Sequence, residues 1–197
     1  MTEWKLFDGD APFVSTAAFH EHRERAPHLD QPHHWPRLHV AGQYLREAAG
    51  PGATLSDLGC GDGGLLSLVQ GYFPAGAWGY DFQPSNAAGW AERGVTAYAL
   101  DFAGTGMNQV KLGNVVVMTE VLEHLANPHG ILRWVYGHPE VDALVCSSPV
   151  NENDRMHDEC HAWAWDFDGY SALVAGAGFS IVRHQVVGNF QVVEAVT

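Results

Sequence analysis

The chain is predicted to fold as an open α/β sheet, with parallel strands inside and an antiparallel hairpin at its end. Three observations carry this. From residue 53 onward, short strand-like runs alternate with helical ones. The run NVVVMTEV, residues 114–121, is almost wholly apolar, as a strand covered on both faces should be. Gly188-Asn189 then separates two final strand-like runs, as a hairpin turn would.

Taken in order, residues 1 to about 35 read as an irregular lead, punctuated by Pro12, Pro27, Pro32 and Pro36. Arg37 to Ala49 sets Leu38, Ala41, Leu45 and Ala48 at helical spacing, and Gly50-Pro51-Gly52 stops it. Residues 53–59 read as a first strand and 63–73 as a helix. Residues 76–82, 85–94 and 95–102 follow as strand, helix and strand. After the apolar strand, residues 122–138 read as helical, with a break near Asn127-Pro128. Residues 142–149 form a fifth strand, and a helix opened by Asp166 or Asp168 leads to the hairpin of 179–187 and 190–196. The chain therefore divides into a lead or lid, residues 1–36, and one domain, residues 37–197. Ligands of such sheets bind at the carboxyl ends of the strands, near the topological switch point.

Composition narrows the function classes. Apolar residues are 46% of the chain, with seven Trp and nine Phe, which supports a packed core and excludes disorder. No run approaches the roughly 18 apolar residues of a membrane span. The opening MTEWKLFDGD lacks a basic region, so no signal peptide is expected. Three cysteines (Cys60, Cys146, Cys160) are too sparse for a disulfide framework and point to a reducing, cytoplasmic setting. The net charge is −13, with Lys5 and Lys111 the only lysines, which disfavours a broad nucleic-acid footprint and favours a small-molecule partner. Composition is silent on oligomeric state.

DLGCGDGG, residues 57–64, ends the first strand and precedes a helix. Gly59 and Gly61 permit a tight turn whose backbone N–H groups approach a ligand. Gly59, Gly61 and Gly64 also meet the dinucleotide spacing, so the glycines alone do not decide. Asp57 opposes a pyrophosphate but suits a cationic ligand. The second strand ends in Asp81-Phe82, 24 residues after Asp57, where a carboxylate can accept from two ribose hydroxyls. The third ends in Asp101-Phe102, where an acid can accept from an adenine amino group and a ring can cover the base.

Together these elements resemble the Rossmann-like S-adenosylmethionine-dependent methyltransferases, over residues 53 to 197. The resemblance implies a three-layer, seven-stranded sheet with the last strand antiparallel. It implies S-adenosylmethionine as cofactor, with Asp57, Gly59, Cys60, Gly61, Asp81, Phe82, Asp101, Phe102 and Thr119 around it. Cys60 is expected to pack rather than react. Similarity to ubiquinone-pathway O-methyltransferases implies that Arg37 meets the methionine carboxylate, as a guanidinium can do bidentately.

Thr119-Glu120 ends the fourth strand, beside the cofactor's sulfonium in this fold. Glu120, Glu123 and His124 stand at i, i+3 and i+4, one face of a helix if the helix starts at Glu120. The loop of residues 147–167 is long enough to suspect of function and carries His157 and His161. E-V-L-E-H, S-P-x-N and H-x-W-x-W resemble the small-RNA 3′-terminal 2′-O-methyltransferases, which implies Glu120, Glu123, His124 and His161 as ligands of a divalent metal. Such ligands suit Mn²⁺, Fe²⁺ or Mg²⁺ better than a structural zinc. Without a metal, His124 or His161 is the candidate general base, with Glu123 beside them. Six histidines between His20 and His39 read as lid or surface groups without chemistry. Trp163 and Trp165 read equally as a substrate wall or as loop anchors. The expectation is a methyltransferase of a small molecule, through oxygen more than nitrogen; the alternatives are an RNA-end 2′-O-methyltransferase and a non-catalytic cofactor-binding subunit.

Overall fold

A computed structural model describes residues 2–104 and 106–197. The lead contains a short strand, β1 (Glu3–Lys5), one helical turn, α1 (Ala17–His20), and three 3-10 turns. Helix α2 (Trp35–Ala48) follows, entered through Pro36, whose missing N–H costs nothing in a first turn. The alternating body then runs β2 (Leu55–Leu58), α3 (Gly64–Val69), β3 (Ala77–Asp81), α4 (Ala87–Arg93) and β4 (Ala97–Ala99). It continues with β5 (Val115–Thr119), α5 (Pro128–Tyr136), β6 (Ala143–Pro149), β7 (Trp163–Trp165) and α6 (Phe167–Gly176). Strands β8 (Ser180–Val187) and β9 (Phe190–Val196) close the chain as a hairpin.

The main sheet has seven strands in the order β4-β3-β2-β5-β6-β9-β8. The inner pairs are parallel, and β9 lies antiparallel between β6 and β8. The predicted fold class is the observed one. The chain moves outward from β2 to β4, then restarts at β5 on the other side of β2, so the switch point lies between the tips of β2 and β5.

Strand β5 shows why this run had to be apolar throughout. Val115 and Val117 face Leu38, Leu45 and Leu65 on one side, while Val116 and Met118 face Leu132, Val135 and Trp165 on the other. These four side chains are buried, so truncating Met118 to alanine costs about 2–5 kcal/mol.

The structure corrects three expectations. No α-helix starts at Glu120: Leu122–His124 is a 3-10 turn, and α5 begins only at Pro128, with the Asn127 side chain accepting from Gly130 N–H. The third strand is three residues rather than eight, because Asp101 turns the chain by accepting from the N–H groups of Ala103 and Gly104. The lead is not wholly irregular, since β1 pairs antiparallel with β7, which was read as loop. Aspartate 166 is the group that opens α6, accepting from Gly169 N–H at 2.6 Å.

Candidate active site

A cavity of about 720 Å³ opens at the tips of β2, β3 and β5. Of the residues singled out from sequence, Arg37, Asp57, Gly59, Cys60, Gly61, Asp81, Phe82, Asp101, Phe102, Thr119, Glu120, His124 and His161 all line it. Glu123 lies beneath, wholly buried.

The floor is the loop after β2. Gly59 has φ +79°, and a Cβ there would sit 2.4 Å from Val121 Cγ2, so only glycine lets the two loops close together. Asp81 Oδ2 accepts from Gly61 N–H at 2.9 Å, and its Oδ1 accepts from Gln83 N–H and Asn86 Nδ2. Burial raises the Asp81 pKa against those bonds. Asp57 is buried with Oδ1 unbonded, and burial followed by the nearby Asp81 pushes it up to about 7. Phe102 packs with Leu58, Tyr80 and Leu112 as it borders the cavity. The Cys60 thiol is buried against Gly79.

At the tip of β5, Glu120 takes φ +56°, a left-handed conformation that a non-glycine residue adopts only under constraint. This kink separates it from the residues that follow. Its Oε1 accepts from Ser147 Oγ at 2.8 Å and stands 3.9 Å from Arg37 Nε. Burial raises its pKa, and Arg37 opposes the rise.

Glu123, His124 and His161 come together instead. One carboxylate oxygen and one nitrogen from each ring lie within 4.8 Å of one another. Neither oxygen of Glu123 has a hydrogen-bond partner, and burial, then Glu120, raises its pKa well above the usual range. His124 Nδ1 is 2.9 Å from the Cys160 carbonyl. A carbonyl only accepts, so Nδ1 carries the proton and Nε2 is a bare lone pair. His161 Nδ1 is likewise 2.5 Å from Glu152 Oε2. Burial, with His161 alongside, pushes His124 down to about 3. Glu120 stands outside this group of three.

The lead crosses the mouth of the cavity. Ser15 Oγ donates to the His124 carbonyl, His20 meets Gln83 Oε1 at 3.2 Å, and Arg23 Nη1 reaches Cys160 Sγ at 2.6 Å. Farther along, Arg25 and Arg93 converge on buried Asp62 at 3.1 and 2.8 Å. Sequence reasoning missed Glu152 and Asp62 as partners, because each sits in a loop without periodicity, and Ser147, because a strand's period does not say which side chain lies opposite it across the sheet. It also read His28 and His34 as bystanders, yet both border the cavity and contact Arg37.

Comparison with curated proteins finds no match by sequence. Among solved structures, magnesium protoporphyrin IX methyltransferase from Synechocystis PCC 6803, with bound S-adenosylhomocysteine, is 16% identical with a TM-score of 0.68, over 97% of this chain and 90% of that one. An O-methyltransferase family protein from Burkholderia thailandensis is 15% identical with a TM-score of 0.65, over 82% of this chain. This chain covers only 55% of that protein and 52% of the next match, human N-acetylserotonin methyltransferase, so it spans about half their length. The 1,6-didemethyltoxoflavin-N1-methyltransferase of Burkholderia thailandensis is 14% identical with a TM-score of 0.63, over 81% of this chain and 77% of that one. At these identities the structures share the fold. The methyltransferase domain family matches residues 33–173, from the end of the lead into α6. The chain belongs to the methyltransferase domain family.

Proposed function

We propose that this protein, as an S-adenosylmethionine-dependent methyltransferase, methylates an oxygen of a small molecule, with a divalent ion held beside the acceptor by Glu123, His124 and His161. The observation that carries the reading is the Glu123 carboxylate. It is wholly buried, with neither oxygen bonded, beside two imidazoles whose Nδ1 atoms are tied elsewhere. A buried carboxylate in that state needs a proton or a cation. Bare Nε2 atoms, each oriented by a carbonyl or carboxylate behind the ring, are how histidines present themselves to metals.

The residues also fit the cofactor. Asp57, with Oδ1 unbonded, suits its ammonium, and Arg37, with Nη1 buried and unbonded, suits its carboxylate. Asp81 takes the ribose, and Asp101 with Phe102 borders the adenine side. The cofactor supplies a methyl group on a positively charged sulfur, and a divalent ion lowers the pKa of a hydroxyl beside it. Glu120, fixed by Ser147, lines the tip of β5 beside Arg37. The lead is held across the mouth of the cavity by its bonds to His124, Gln83 and Cys160.

Without an ion, His161 is the better general base: Glu152 orients it, whereas His124, held near 3, is poorly matched to neutral pH. The charge of −13 and the loop acids Glu152, Asp154, Asp158 and Glu159 favour a small molecule over an RNA end.

Mn²⁺ titration and elemental analysis after chelator-free purification test the ion. The wild type is expected to hold about one equivalent, and Glu123→Ala/His161→Ala none; equal, negligible metal in both removes the ion from the reading. Calorimetric titration with S-adenosylmethionine tests the cofactor. Demethylated product formed with hydroxylated aromatics but not with RNA oligonucleotides separates the substrate classes, and no product with either leaves a binding subunit.

A further inference from the structure

We infer that His28 and His34 are positioning residues for the cofactor's carboxylate: their Nδ1 atoms grip Arg37, a residue of the cavity lining, so that its remaining nitrogen, Nη1, is the one left without a partner. The inference rests on the assignment of Arg37 to that carboxylate under the proposed function.

The argument starts from the guanidinium, which can only donate. Arg37 is 1% exposed. Its Nε lies 3.3 Å from His34 Nδ1 and its Nη2 lies 3.0 Å from His28 Nδ1. Both ring nitrogens must therefore be bare acceptors, which places each imidazole's proton on Nε2. Two of the three guanidinium nitrogens are thus occupied, and Nη1 has no partner. The two rings lie 4.1 Å apart, centroid to centroid, and His34 leans on Phe190 at 5.4 Å. Arg37 itself sits 5.4 Å from the Phe190 ring centroid. The grip is therefore a packed assembly rather than two isolated contacts. Burial, aided by Arg37, holds His28 near 4 and His34 near 3, so both stay neutral acceptors at physiological pH.

Neutrality is the reason for histidine here. A carboxylate at position 28 or 34 would also orient Arg37, but it would cancel the charge meant for the ligand. An imidazole fixes direction without adding a further negative charge to that of Glu120, whose Oε1 already lies 3.9 Å from Arg37 Nε. Both histidines come from the 3-10 turns His28–Asp30 and Pro32–His34.

The test compares calorimetric dissociation constants for S-adenosylmethionine and its decarboxylated analogue. The wild type is expected to prefer the carboxylated form by on the order of tenfold or more, the value of a hydrogen bond to a charged group. Arg37→Ala should erase the preference. His28→Ala/His34→Ala should erase most of it while leaving affinity for the decarboxylated analogue within about twofold. Asparagine at both positions puts Oδ1 where Nδ1 accepted and should retain the preference, whereas glutamine should not. Should the alanine pair fail to fold, judged by thermal melting, the asparagine and glutamine pairs decide. Wild-type preference in the alanine or glutamine pair, with Arg37→Ala defective, overturns the role of the histidines alone. Wild-type preference in Arg37→Ala overturns the assignment of Arg37 itself.

Discussion

Glu123 and Asp57 each place a carboxylate oxygen in the interior with no hydrogen bond to receive. Glu123 has its pKa raised by burial and then by Glu120. Glu123→Gln removes the ionisable group at nearly constant shape. Its metal-free melting temperature should equal or exceed the wild type's at pH 8, and the gap should narrow as the pH falls and Glu123 takes its proton. Under the proposed function Mn²⁺ should raise the melting temperature of the wild type and not of the variant; a rise of equal size in both would remove Glu123 from the proposed ion site. Asp57 is pushed up to about 7. A cationic ligand needs it ionised, so S-adenosylmethionine affinity should weaken as the pH falls through 7, by up to about tenfold per unit. Asp57→Asn should weaken binding on the order of 10- to 100-fold and flatten that dependence, both read by calorimetry.

At the scale of elements, the close approach of two loops is a constraint. Gly59→Ala would place a methyl group 2.4 Å from Val121 Cγ2, at a φ of +79°. The expected loss is about 2–4 kcal/mol, from overpacking and left-handed strain together. Val121→Ala in the same chain should restore the packing part and leave the strain, a non-additivity that denaturant unfolding would measure. Strand β1 is the second case. It pairs Glu3 with Trp165 and Lys5 with Trp163, and Leu6 N–H donates to Ala162. Glu3 Oε2 also accepts from Trp165 Nε1 at 2.7 Å. These bonds brace the arm that carries His161. A proline at position 4 should raise hydrogen exchange in residues 158–165 and weaken Mn²⁺ binding, with S-adenosylmethionine affinity within about twofold of the wild type.

Across the whole molecule, two groups of side chains push stability in opposite directions with pH. His28, His34 and His124 have folded pKa values near 4, 3 and 3, below the usual 6.5. Between those values and 6.5 the unfolded chain binds more protons, so their share of stability is complete above 6.5 and lost as the pH falls. Asp57, Glu120 and Glu123 are raised, so the folded chain holds protons that the unfolded one releases, and their share falls as the pH rises above about 4. His28→Asn/His34→Asn should therefore flatten the acid side of the stability curve, and Asp57→Asn the other side, measured as denaturation midpoints from pH 4 to 8. Among the described residues, no helix is long and apolar enough to cross a membrane.

The sequence by itself determined the α/β alternation, the buried apolar strand that became β5, the final hairpin and the glycine turn. Each is written in local periodicity or turn chemistry, within a window of about ten residues. It also marked the part of the cavity's lining that stands at the strand tips, because those tips must converge at the switch point of such a sheet. Tertiary structure decided which group answers which. The kink at Glu120 turned that residue toward Ser147 and Arg37, and left Glu123 with His124 and His161. The bond from Trp165 to Glu3 spans 162 residues, and Arg37 is gripped by histidines that read as surface groups. No local pattern encodes such pairings, because loops carry no periodicity and a buried polar group takes whatever partner the packed chain brings within reach.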